Sequence, residues 1–139
     1  MCLEKVTEKD HILEKDMKVF KVVEKIENEY YFSIFRHVLP EKVNEGLNEA
    51  LITVLHDNNY SEKIIYYNSG YFCFESKEDA ERFKHNLSLD FPESSENFVV
   101  FEFTIPKGTS ITIGDEKWGY SFNPDYYKII VSPVLIYYK

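Results

Sequence analysis

Cysteine is almost missing from this chain: Cys2 lies near its start and Cys73 inside an apolar run, which is no disulfide framework. Long hydrophobic runs are missing as well. Residues 1–17 alternate charge with single apolar side chains, unlike a secretory leader, and nothing later reaches the length of a membrane span. A cytoplasmic protein with no membrane partner is the expectation. Histidine is sparse, and His11, His37, His56 and His85 lie far from one another, none beside a Cys or carboxylate at metal-ligand spacing. G-x-G-x-x-G, Walker A, G-x-S-x-G and H-E-x-x-H patterns are all absent. Neither metal nor cofactor is expected. Positive charge is also in deficit: 16 Lys and Arg stand against 24 Asp and Glu, for a net charge of -8. A surface of that sign repels a phosphate backbone, so direct nucleic-acid binding is disfavoured. The same acidity suits solubility, or an acidic mimic of nucleic acid that occupies a basic groove on a partner.

What the chain does have is aromatic side chains. Eleven Tyr, eleven Phe and one Trp make up 17% of its 139 residues, a composition that favours half-buried pleated surfaces. That length suits one domain with a core of its own, and no linker or repeat divides it.

Periodicity sketches the elements. Residues 1–17 read as a short amphipathic helix or a flexible tail, with Leu3, Val6, Leu13 and Met17 at loosely helical spacing. Val19 to Ile26 form a β-branched run, Glu27, Asn28 and Glu29 a polar break, and residues 30–35 a returning strand. Pro40 followed by Val43, Leu47, Ala50, Leu51, Val54 and Leu55 predicts a helix over 41–56. Strands are predicted over 63–67 and 71–74. A second helix starts at Ser76, with Glu78 and Asp79 in its first turn and a stripe of Ala80, Phe83 and Leu87. A surface loop over 90–97 leads to the strand 98–105, which turns at Pro106, Lys107 and Gly108 into a strand over 109–113. Residues 115–128 read as irregular, and 129–138 as an edge or bulged strand broken by Pro133. The expected fold is α+β, a mainly antiparallel sheet of six or seven strands with two helices.

Candidate site residues follow from position. Glu75 and Ser76 lie between a buried strand and a helix N-terminus, and Arg36 and His37 end the second strand. Trp118, Gly119 and Tyr120 offer a stacking surface in a loop. Four tyrosine doublets, at 30–31, 66–67, 126–127 and 137–138, force one ring of each strand pair off the core face, and Tyr67 and Tyr71 belong to the aromatic strands nearest Glu75.

From Gly70 onward the order of pieces resembles the ADP-ribosyltransferase-like fold: an aromatic strand running into Ser76, then Glu78, Asp79 and Ala80, then a strand entering Ile105, Pro106, Lys107, Gly108 and Thr109. The resemblance implies an early Arg36 or His37 holding a dinucleotide and Ser76 at the second motif. It also implies a late catalytic Glu, and none stands in the terminal strand over 128–133. The expected function is therefore a non-enzymatic binding module or inhibitor, of the kind a phage or mobile element encodes, that engages a protein or nucleotide-like small molecule through an aromatic sheet face. A divergent ADP-ribosyltransferase or other NAD-using enzyme is the alternative.

Overall fold

Alternating aromatic and β-branched residues make this molecule mostly sheet. A computed structural model describes residues 3, 5–32, 41–50, 55–58, 65–68, 70–118 and 125–139. Among the described residues run the strands β1 (Lys5–Ile12), β2 (Met17–Ile26), β3 (Glu29–Tyr31), β4 (Gly46–Glu49), β5 (Leu55–Asn58) and β6 (Ile65–Asn68). Then come β7 (Tyr71–Phe74), the helix α1 (Lys77–Asp90), a 3-10 helix (Pro92–Asn97), β8 (Phe98–Ile105), β9 (Ser110–Trp118), β10 (Asp125–Ser132) and β11 (Val134–Tyr137). Nine strands form one sheet in the order β1-β9-β10-β7-β2-β8-β11-β4, with β3 beside β2, while β5 pairs with β6. Every strand pair is antiparallel, so the fold is α+β with a mainly antiparallel sheet.

One long, bent strand pair organises the sheet. β1 leads into β2 through residues 13–16, and β8 leads into β9 through 106–109; β1 pairs with β9 and β2 with β8. The two corners bind each other. Leu13 N donates to Thr109 O at 3.0 Å, Gly108 N to Leu13 O at 2.9 Å, and Lys107 N to Asp16 Oδ1 at 2.8 Å. Register is unchanged across the bend, with Ile12 facing Ser110, Met17 facing Ile105 and Glu24 facing Phe98. β10 then joins β9 to β7, and β7 meets β2 at the pair Phe20 and Phe74.

Alternation along these strands builds two cores. Phe72, Phe74, Val22, Phe98, Tyr127, Ile129 and Val131 pack on one face against Ala80, Phe83 and Leu87 of α1. On the far face, Val19, Val23, Cys73, Phe103, Ile105, Ile130 and Leu135 pack with Phe32 and Val43. The helix forms where its signals place it: Ser76 Oγ accepts from Asp79 N at 3.0 Å, and Glu78 and Asp79 occupy the first turn. Between β2 and β3, Glu27 and Asn28 take φ of 50° and 69°, the left-handed pair that a two-residue hairpin turn needs.

Three segments differ from their sequence pattern. Residues 5–12 are strand rather than helix or tail: Leu3 is buried against Gly114, and the charged side chains beyond it suit a bulged edge strand. The helix expected over 41–56 is absent from its described residues, 41–50 and 55–56; the rest of the range lies outside the described residues. Gly46 has φ 88°, outside the helical region, and the Asn48 amide clamps the preceding turn, accepting from Asn44 N at 2.8 Å and donating to Asn44 O at 2.9 Å. β4 instead pairs with β11, and β5 with β6. The irregular stretch expected over 115–128 is strand at both ends, Asp115 facing Lys128 and Trp118 facing Asp125. These segments raise the strand number above the six or seven read from the pattern. Pro133 separates β10 from β11 and gives its carbonyl to Ala50 N at 3.0 Å.

Candidate functional site

Three half-buried rings form a row on the far face. Tyr30 of β3 lies 4.6 Å from Phe101 of β8, centroid to centroid, and Phe101 lies 4.9 Å from Tyr137 of β11 at an interplanar angle of 11°. Beneath them are buried rings: Phe103 lies 5.7 Å from Tyr137, Phe32 lies 5.5 Å from Phe103, and Phe32 lies 4.7 Å from Tyr71. The row is held from below by core packing and keeps its upper edges open to solvent. Strand alternation explains it, since Phe101 shares its face with Phe103 and Ile105.

A polar group borders the same face. Tyr71 donates its hydroxyl proton to Glu41 Oε1 at 2.6 Å. Burial and that bond hold the phenol well above the usual tyrosine range. Cys73, two residues on and fully buried, has its thiol pushed up to about 12 by burial. Lys21 lies between Val19 and Val23 and faces Phe101 across the strand pair. Its ammonium donates to Phe72 O at 2.9 Å. Burial pulls the Lys21 pKa down, against the opposing influence of Cys73, Glu116 and Glu41.

The residues expected at a site are dispersed. Tyr67 is interior, at 1% exposure, with its hydroxyl accepting from Leu3 N at 2.8 Å; its neighbour Tyr66 takes the outward place. Tyr71 is likewise buried and reaches the row through Phe32 and Phe103. Glu75 pairs with Lys128 at 2.6 Å on the surface, and Ser76 is engaged as the helix cap. Trp118 closes β9 rather than sitting in a loop. Arg36, His37, Gly119 and Tyr120 lie outside the described residues. Sequence position missed Phe101 and Lys21. The doublets flag Tyr30 and Tyr137, and Lys21 announces itself only as the one cation interrupting the run from Val19 to Val23.

Among the described residues, no group of three or more His, Cys, Asp or Glu side chains is placed to hold a metal ion. No helix among them is long and apolar enough to cross a membrane. Comparison with protein-family models, with curated proteins and with solved structures finds no match.

Proposed function

We propose that this protein is a non-enzymatic binding module whose partner docks on the aromatic row Tyr30–Phe101–Tyr137. The observation that carries this reading is the row itself: three rings from three strands in contact, Tyr137 stacked on Phe101 and Tyr30 tilted against it, each leaving part of its surface to water. Rigid rings fixed by a packed layer beneath them supply contact area at little entropic cost, which is what partner-binding surfaces use. An extended row suits a protein segment better than an enclosed small molecule. The engagement of Ser76 as a cap and of Glu75 with Lys128 favours binding over catalysis at the strand-turn-helix unit.

A photo-crosslinking amino acid at position 137, with one at the exposed position 126 as control, tests the proposal in cells that make the protein. A discrete adduct from 137 alone is the expected result. Adducts from both positions or neither would sink it. A nucleotide-like ligand would instead show as quenching of tyrosine fluorescence by adenine nucleotides, abolished in Tyr137→Ala. Release of nicotinamide from labelled NAD would return the protein to the enzymes.

A further inference from the structure

We propose that an apolar strip on the helix-bearing face of the sheet, Leu47, Val134 and Ile136, is a second docking surface, and that it takes a basic amphipathic helix of a partner protein. The strip lies on the opposite side of the sheet from the aromatic row and does not depend on it. Ile136 of β11 faces Leu47 of β4 on one side and Thr104 of β8 on the other, and alternation turns Val134 and Ile136 away from the side taken by Leu135 and Tyr137. Leu135 and Tyr137 belong to the far core, Val134 and Ile136 to neither core. Leu47 is 54% exposed, and the other two are half-buried.

The inner part of the same face is already covered by a helix. There α1 lies across β2, β7 and β8 with Ala80, Phe83 and Leu87 in the core beneath it. An apolar sheet face is stable when a second layer buries it, and β11 and β4 together span about 10 Å, two strand spacings, which matches the width of one helix. Charge selects the sign of that helix. Glu49, opposite Val134, and Glu102, two residues before Thr104, share the face and are exposed. Among the described residues neither forms an ion pair. Lys18, opposite Thr104, is the one cation that alternation places on this face of β2, β8, β11 and β4. In a chain of net charge -8, the strip repels a second copy and attracts a segment with Lys or Arg flanking an apolar stripe.

The test titrates the full chain, at physiological salt, into a labelled synthetic peptide of Leu and Lys arranged with helical period, and into a scramble of the same composition that has no apolar stripe. Fluorescence anisotropy reads the binding. The amphipathic peptide is expected to bind about tenfold more tightly than the scramble, because both carry the same charge and only one can bury a stripe. Leu47→Ser should weaken its binding about tenfold, and Glu49→Gln combined with Glu102→Gln should do the same. Leu89→Ser, at a leucine 67% exposed on α1, should leave it unchanged. Equal affinity for the two peptides, or equal effects of Leu47→Ser and Leu89→Ser, would overturn the proposal. So would a dimer of the protein alone that Leu47→Ser dissociates, since a second copy would then cover the strip.

Discussion

The Tyr71 hydroxyl and the Glu41 carboxylate meet at 2.6 Å and tie the segment leading into β4, an edge of the main sheet, to the interior strand β7. A hydrogen bond to an ionised acceptor contributes about 1.5–3 kcal/mol. Tyr71→Phe is therefore expected to lower the stability in urea by roughly that amount. The same substitution should also raise amide exchange across β4.

Alkaline pH should act through Cys73. Its thiol is raised from 9.0 to about 12 in the folded chain, so the unfolded chain gives up this proton first as pH rises. The stability due to Cys73 is present below pH 9.0 and is lost between there and about 12. Lys21 has the opposite sign: its folded value lies below 10.5, so its burial cost is relieved as pH climbs towards 10.5. Cys73→Ala should flatten the fall in stability above pH 9.0 in a series of urea melts, and an unchanged slope would exclude the thiol as its source.

Close approach at Gly114 decides whether β1 stays on the sheet. A methyl group there would meet the Lys5 carbonyl and the Leu3 side chain. Gly114→Ala should cost about 1–3 kcal/mol, as overpacking does. Hydrogen exchange would locate the loss in residues 5–12, with α1 left as protected as before.

Ser76→Ala removes the acceptor for Asp79 N and should lower stability by about 1 kcal/mol. Ser76→Asp keeps the acceptor and should hold stability near the parent value. Thermal melts of the two variants make the comparison.

Position in the aromatic layer separates folding from recognition. Phe103 is 1% exposed, and Phe103→Ala should cost about 3–5 kcal/mol. Tyr137→Ala removes a half-buried ring at the rim and should cost far less while abolishing the crosslink partner's binding. Equal losses of stability in the two variants would show that the row is core.

Where local chemistry decided structure, the sequence was legible. β8 shows its alternation, α1 its cap and stripe, and the hairpin β2–β3 its polar break, because each signal lies within the element itself. β4 was not legible: spaced apolar residues mimic a helix, and what overrides them is Gly46, the Asn48 clamp and pairing with β11 near the other end of the chain. β1 is mostly exposed, so it carries no alternation to read. For the candidate site, the tyrosine doublets tell that one ring of a strand pair leaves the core face but not which one. Tyr67 rather than Tyr66 is interior, as is Tyr127 rather than Tyr126, and that choice is set by register against distant strands.

The bent strand pair also sets the order in which this chain can be made and folded. β1 and β2 lie in the first 26 residues, and apart from the short hairpin with β3 they find their long partners only in β8 and β9, at 98–118. During synthesis neither can complete these long pairings until most of the chain has left the ribosome. Contacts so distant along the chain slow folding and lengthen exposure of strand edges. The charges that crowd β1 then protect the nascent chain as much as the finished sheet.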